Sequence, residues 1–501
     1  MIAAVKSGHW RLLPWIIVAA WLVRVWFALT ARNLHYPDEL FSYLEPAHRL
    51  VFGDGLVSWE FRFGTRSWAI PFLIAGPLWL CDLVGLGRPE IYIPVVRILL
   101  VTVSVSVVPA LYVMTRALAG EGAGRWAAVL GACWYELIYF APRPLPDALS
   151  LYPILLAISL VVAAPGRHGG WVALLTGLTV ALRLQSAPVA LVCAVVTLWG
   201  ADRVTRWRCL AIWGTIGLAV GALDWWTWGA WWASYAGNVF FNVSVRISDI
   251  YGRHHPLTYP FMLLLASAGV FLSATIWGVL QGRRFAWPVG VIALSVMLFS
   301  LVAHKEYRFI LLVVPMGIVL TAAWVTSWRS RVARRAGAAG LAAVSVAGMW
   351  GVLPGHFRTY PHQPLFAADP SLDAYVAIAN DPSVTALLVA DDEWWFSGGL
   401  YYMHRPIPLF FAPDALAMRA VDPEGERPYV SHVLHRGPRE GAQVIDTPGF
   451  ETVRRWGPVE LRRNLRPGPY RQWPGMTRQM AEPIIDGGYV PWVRPFLPHP
   501  Q

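Results

Sequence analysis

Residues 91–115 read IYIPVVRILLVTVSVSVVPALYVMT, and only Arg97 among them carries a charge. About 20 consecutive apolar residues suffice for a helix to cross the hydrocarbon core of a bilayer. Outward from this stretch, comparable runs recur near 11–31, 67–86, 125–142, 148–164, 171–200, 209–223, 260–280, 285–303, 308–328 and 336–354. The composition agrees: 56% of the 501 residues are hydrophobic, 14% are charged, and the mean hydropathy is +0.46. A soluble domain carries about a quarter charged residues, so lipid must cover much of this chain. The 28 Trp fit the same reading, because indole rings favour the membrane–water interface. The net charge is +11, yet residues 355–501 are slightly acidic, so the whole positive excess lies in the first 354. There the basic residues form short clusters between apolar runs, as the positive-inside rule expects. A nucleic-acid partner would need a solvated basic patch instead, and none is expected. The chain reads as a polytopic α-helical membrane protein with about 11 transmembrane helices.

Charge orients these helices. Lys6 and Arg11 hold the N-terminus on the cytoplasmic side, and Arg203, Arg206, Arg208, Arg283, Arg284, Arg329, Arg331, Arg334 and Arg335 mark later cytoplasmic turns. Residues 32–66, 224–259, 304–307 and 355–501 then lie outside. If 67–86 spans the membrane, Arg116 and Arg125 fall outside, against the charge bias. If it lies flat as a re-entrant or interfacial helix, they return to the cytoplasm, and a break of 171–200 near Arg183 restores parity. The charge bias favours the second arrangement. The chain thus divides into a transmembrane domain, 1–354, and a small extracytoplasmic α/β domain, 355–501. The first has long external loops at 32–66 and 224–259. In the second, strands are expected at Val384–Val389, within Leu400–Phe411, and at Val453–Leu461. Cys81, Cys133, Cys193 and Cys209 lie in or beside apolar segments without metal-ligand spacing, so they read as free thiols.

The external segments collect the unusual polar residues. His35-Tyr36-Pro37-Asp38-Glu39 precedes Glu45 and His48. Pro37 sets a turn, and Asp38 and Glu39 then open a helix, where acids suit the helix dipole. As caps they are structural; as a pair of carboxylates at a membrane surface they offer a general base. In 224–259, Asp224 and a Trp cluster are followed by Asn242, Arg246, Arg253 and His255; the Trp residues fit an aromatic belt, while the two Arg can grip a phosphate. His304-Lys305-Glu306-Tyr307-Arg308 places cations at a helix end, suited to an anionic head-group. Arg143, Asp147, Arg183 and Gln185 stand at membrane depth, where charge is costly and marks either function or an internal ion pair. No Walker loop, Rossmann glycine pattern, Gly-x-Ser-x-Gly or HExxH occurs, which removes support for soluble nucleotide chemistry and zinc hydrolysis.

Four of these motifs in order resemble glycosyltransferase family 22, the lipid-linked-oligosaccharide and GPI-anchor mannosyltransferases of GT-C fold. They are Tyr36-Pro37-Asp38-Glu39 with Leu44-Glu45-Pro46-Ala47-His48 and Arg66-Ser67; Asp224 to Gly229 with Asn242; Gly252 with His255-Pro256; and His304-Lys305-Glu306 with Arg308-Phe309. Gly398-Gly399-Leu400-Tyr401-Tyr402 with His404-Arg405 extends the likeness. The family's His-Pro-Asp-Glu loop is interrupted here by Tyr36, so no role passes to His35, and Asp147 stands where the family often has Asn. The resemblance implies an inverting, metal-free transfer of mannose from a polyprenyl-phosphate donor to a glycan or lipid-linked acceptor, without a cofactor. It implies Asp38 as base with Glu39 beside it. It implies donor-phosphate contacts from His304, Lys305 and Arg308, joined by Arg246 and Arg253. Substrate contacts are expected from Glu45, His48, Arg143, Asp147, Arg183, Gln185, Asp224, Asn242 and His255. A transporter or flippase of a lipid-linked sugar is the alternative, although no paired halves are visible. The Arg-over-Lys bias and the Ala-, Gly-, Pro- and Trp-rich composition point to a GC-rich bacterium. That would put the active site and residues 355–501 on the periplasmic side of an inner membrane.

Overall fold

A computed structural model describes residues 12–351, 365–390, 398–412, 430–435 and 449–466. Lys6, Arg11 and the end of the 336–354 run lie outside the described residues. The chain separates into two compact units. One comprises Met1–Ala31, Arg97–Tyr235 and Phe241–Ala367; the other comprises Arg32–Val96, Ala236–Phe240 and Ala368–Gln501.

The first unit is helical. Helix Leu13–Thr30 buries Leu13, Ala20, Arg24, Phe27 and Ala28 along one stripe and exposes Trp15, Leu22 and Trp26. That division suits a helix facing protein on one side and lipid on the other. The buried Arg24 donates to the carbonyls of Ser104 (3.0 Å) and Gly131 (2.7 Å), the ends of two other helices. Its two terminal nitrogens are therefore satisfied by backbone groups that would otherwise lack partners. Helix Val313–Ser327 lies in the core, buried on every side from Val313 to Ala323. It approaches its neighbour closely because Gly317 has no side chain: a Cβ there would stand 2.6 Å from the Phe271 ring. Lipid leaves little hydrophobic gain between helices, so such close backbone packing is a main source of their cohesion.

Among the described residues, five helices are long and apolar enough to cross a membrane: Leu13–Thr30, Pro89–Ala119, Pro146–Ala163, Arg203–Trp228 and Gly282–Ser300. Four shorter apolar helices accompany them, Ala69–Leu83, Gly169–Leu182, Leu184–Trp199 and Val313–Ser327. The expected span at 260–280 is two helices, Thr258–Ala266 and Val270–Leu280, bent by 107°. Ala268 (φ 48°) and Gly269 (φ 79°) are both left-handed there, which ends one helix and redirects the next. The 171–200 run is broken at Arg183, whose extended backbone (φ −153°, ψ 106°) ends helix Gly169–Leu182. Arg203, Arg206 and Arg208 begin the long helix Arg203–Trp228 rather than occupying a loop, with the Asp202 side chain accepting from the Thr205 N–H as its N-cap.

The second unit joins residues 32–96 to the C-terminal region. Among the described residues it has five strands, β1 Leu387–Ala390, β2 Leu409–Ala412, β3 His432–His435, β4 Phe450–Trp456 and β5 Val459–Asn464, ordered β2-β1-β3-β5-β4. β1 pairs in parallel with β2 and β3, while β5 runs antiparallel to β3 and β4. The single strand expected over Val453–Leu461 is a hairpin, because Gly457 (φ 57°) and Pro458 supply a turn. Asp369 N–H donates to the Arg32 carbonyl (2.7 Å), and Arg32 pairs with Asp373 at 2.9 Å. Asn380 Nδ2 donates to Glu90 Oε1 at 2.5 Å.

Candidate functional site

In the second unit, residues 37–52 form one continuous helix whose centre, Glu39–Leu44, is π-wound. An inserted residue of this kind turns side chains off the α-helical register and recurs at functional sites. Asp38 and Glu39, adjacent in sequence, have different environments. The Asp38 side chain is 26% exposed, and its Oδ2 lies 3.4 Å from Arg66 Nη2. Glu39 is 2% exposed. Arg66 is shared: it donates to Glu60 Oε1 at 2.8 Å and to the Tyr43 hydroxyl at 3.4 Å, and Glu60 also accepts from Ser42 Oγ at 3.0 Å. Burial works against the Arg66 charge, but Tyr43, Glu60 and Asp38 outweigh it and hold the guanidinium above its ordinary value. Asp38 is thus oriented by a permanent cation yet open to solvent, which suits a carboxylate that must reach an incoming hydroxyl.

Glu45 and His48, further along the same helix, are occupied by the protein itself. Glu45 is fully buried; its Oε2 accepts from Leu56 N–H (2.6 Å) and its Oε1 from Tyr401 N–H (2.7 Å). Burial pushes its carboxyl up to about 7, against the pull of the backbone N–H groups of Leu56, Tyr401 and Leu400. His48 Nδ1 meets the Asp54 carbonyl at 2.5 Å and its Nε2 meets His404 Nδ1 at 2.9 Å. Burial first, then the neighbouring His404, takes its imidazole down to about 4, against its hydrogen bond to the Asp54 carbonyl.

The first unit gathers a second cluster. Helix Pro146–Ala163 presents Asp147 in its first turn, and the break after Leu182 presents Arg183. Arg183 Nη2 stands 2.6 Å from Asp147 Oδ1, and Arg308 Nη1 lies 4.0 Å from Asp147 Oδ2. Glu306 receives Arg308 Nε at 2.7 Å and Nη2 at 3.1 Å, and it meets His304 Nε2 at 3.0 Å. Burial would raise the Glu306 carboxyl, but Arg308 and His304 overcome it and hold it well below its ordinary value. Lys305 donates to the carbonyls of Ser300 (3.0 Å) and Val302, so its ammonium caps the end of helix Ala286–Ser300. Burial lowers it. His304 Nδ1 also meets the Gly252 carbonyl at 3.1 Å, while His254 N–H donates to the Ala303 carbonyl at 2.9 Å. These bonds tie the 252–254 turn to the His304 segment. Before and within that turn, Arg246 and Arg253 share one carboxylate, Asp249, at 3.3 and 3.4 Å, with side chains 55% and 65% exposed.

The remaining expected residues are placed less favourably for a substrate. Arg143 is buried, stacked 3.9 Å over the Tyr139 ring with Nε donating to the Tyr139 carbonyl. Asp224 is buried; its Oδ2 accepts from Ser234 N–H (2.9 Å) and Oγ (2.6 Å), holding the turn that follows its own helix. His255 accepts from Leu257 N–H, and its carbonyl from the Thr258 hydroxyl, at the start of helix Thr258–Ala266. Asn242 lies on the π-wound turn Phe240–Ser244, and Gln185 is exposed after the Arg183 break. Sequence reasoning missed Glu60, Tyr43 and Asp249, which join these clusters as partners of residues it had found. An acid or phenol on an otherwise apolar segment was the available signal.

Comparisons with known proteins give the family and the fold. The sequence model of the Alg9-like mannosyltransferase family matches residues 15–361. A mannosyltransferase of Arabidopsis thaliana, APTG1, is 26% identical over 60% of this chain and 56% of its own length. GPI mannosyltransferase 3 of Trypanosoma brucei brucei is 26% identical over 63% of this chain and 65% of its own. The protein of that name in Yarrowia lipolytica is 25% identical over 79% of this chain and 76% of its own. The chain therefore spans well under two thirds of the plant relative's length and just under that share of the trypanosome one. Among solved structures, ArnT from Cupriavidus metallidurans bound to undecaprenyl phosphate superposes with a TM-score of 0.56 at 14% identity, over 93% of this chain and 100% of that one. The fold is GT-C, and the chain is a multi-pass membrane protein.

Proposed function

Because the chain belongs to the Alg9-like mannosyltransferase family, we propose that it transfers a hexose, mannose, from a polyprenyl-phosphate donor to a glycan or lipid-linked acceptor with inversion at the anomeric carbon. The observation that carries this reading is the contrast between Asp38, oriented by Arg66 and open, and Glu39, closed. In the proposed step the acceptor oxygen attacks the anomeric carbon, its proton passes to Asp38, and the sugar–phosphate bond breaks opposite the forming bond. The leaving group is a polyprenyl phosphate that already carries charge, so it calls for cations more than for a proton. Arg246 and Arg253 are the accessible pair for it. The cluster of Asp147, Arg183, His304, Glu306 and Arg308 supports the reading in a narrower way. Its two Arg are internally paired, so it contributes a fixed local potential rather than free cations. The composition favours a bacterial inner membrane with this chemistry on the periplasmic side.

The test is transfer from labelled polyprenyl-phosphate mannose in membranes carrying the protein. Asp38→Asn removes the base at constant size, and kcat should drop by about 10²–10⁴-fold. Undiminished transfer by that variant would remove Asp38 from the base assignment.

A further inference from the structure

Asp38 stands at the start of a helix that is fastened two turns later from a distant part of the sequence. Glu45, on the C-terminal side of the π-wound turn, gives one carboxylate oxygen to Leu56 N–H and the other to Tyr401 N–H. His48, one turn further, meets His404 at 2.9 Å. Around this pair the rings of Phe52 and Tyr92 close a nest: Phe52 lies 4.5 Å from His404 and 4.7 Å from His48, and Tyr92 lies 5.3 Å from Tyr401. The Tyr92 hydroxyl donates to the Tyr401 carbonyl at 2.5 Å. The approach is possible only because residue 399 is glycine: its φ is +56°, and a Cβ there would collide with Glu45 Oε1. Both Glu45 oxygens and both His48 nitrogens are therefore taken by protein partners, although a residue that binds substrate keeps at least one polar atom for it.

We propose that the Gly398–His404 segment is a positioning element for the transfer reaction, fixing through Glu45 and His48 the helix on which Asp38 is carried. Glu45 and His48 then act as positioning residues and not as substrate ligands. This rests on the reading of Asp38 as the base. The physical requirement is small displacement with large consequence: a misplacement of about 1 Å in a reacting group costs about 10²-fold in rate. A helix with a π-wound centre has a register that hydrogen bonds on its far side can hold or release.

The experiment uses the full-length protein in nanodiscs and two variants, Glu45→Gln, which keeps volume, and Gly399→Ala, which pushes on the carboxylate. Each should lower kcat by about 10- to 10²-fold, with KM for the donor within about twofold of the parent. His404→Gln, which keeps a hydrogen-bonding atom, should lose less than His404→Ala. A rise in KM at unchanged kcat would overturn the proposal in favour of substrate contact. An activity-independent arm uses Asp38→Cys and follows reaction of the new thiol with a methanethiosulfonate by peptide mass spectrometry, which keeps the four native thiols apart. Adding Glu45→Gln should change the labelling rate at 38 several-fold, and an unchanged rate overturns the proposal whatever the kinetics. If instead Asp38→Asn transfers normally, the assignment of the base fails, while the labelling result still decides whether this segment positions residue 38.

Discussion

The two polar clusters of this protein are built by opposite means. Around Glu45 and His48, a carboxylate and an imidazole are held by the backbone groups of Leu56, Tyr401 and Asp54 and by the His404 ring. Around Glu306, side chains of opposite charge hold one another, Arg183 on Asp147 and Arg308 on Glu306. The first arrangement places a helix without creating a field, and it is insensitive to salt. The second creates a local potential, at the cost that each charge depends on its partner for burial. A transferase needs both: one group held in position, and one region where negative charge is tolerated as it develops.

The comparison breaks most sharply at Arg183. Arg183→Ala leaves Asp147 buried without its closest cation, and removing one member of a buried pair costs about 3–5 kcal/mol. Thermal unfolding in detergent should show this loss, and the double change with Asp147→Asn should recover most of it. If the single variant is as stable as the parent, the pair is not what holds this cluster.

Next in size are two opposed pH effects in the Glu45–His48 region. Glu45 is raised from 4.5 to about 7 by burial, so the folded state binds its proton more tightly than the unfolded one. Its contribution to stability is complete below about pH 4.5 and is lost as pH rises through 7. His48 is lowered from 6.5 to about 4; its contribution is complete above about pH 6.5 and is lost as pH falls through 4. Each is worth up to about 3 kcal/mol. Stability measured against pH should lose its alkaline decline between 4.5 and 7 in Glu45→Gln, and its acid decline between 6.5 and 4 in His48→Asn. Identical profiles in parent and variants would mean that neither group is held as described.

The smallest effect is expected at the exposed pair. Exposed ion pairs are worth about 0–1 kcal/mol, so Arg246→Ala or Arg253→Ala should leave stability unchanged. Each should instead raise the donor KM several-fold at low salt and less at high salt, where exposed charges are screened. A KM independent of both Arg and ionic strength would show that donor phosphate is bound elsewhere.

Much of this was legible in the sequence because it depends on local pattern. Apolar runs marked where the apolar helices lie, and the break at Arg183 was foreseen from the charge bias. His304 and Arg308 stand out because charge at a helix end beside an apolar run needs an explanation, while the preference for Asp38 over Glu39 came from the family resemblance. What stayed hidden depends on pairing across the sequence. Glu45 looks like a substrate contact until Tyr401 is brought against it, and Lys305 looks like a phosphate ligand until it is seen capping a helix. The bend at Ala268 and Gly269 escaped because an alanine in a left-handed conformation has no signature in the sequence. The pairing of the 32–96 segment with the C-terminal sheet region was likewise unreadable, since the bonds between Arg32 and Asp369, or Glu90 and Asn380, follow no periodicity.

The central claim is that the Asp38 carboxylate takes the acceptor's proton in a sugar transfer. It is tested most directly by mass spectrometry of lipid-linked and envelope glycans from cells lacking the gene and supplied with either the parent or Asp38→Asn. The parent should restore a glycan one hexose larger than that of the deleted strain, and Asp38→Asn, expressed at the same level, should not. Full restoration of that glycan by Asp38→Asn would contradict the account.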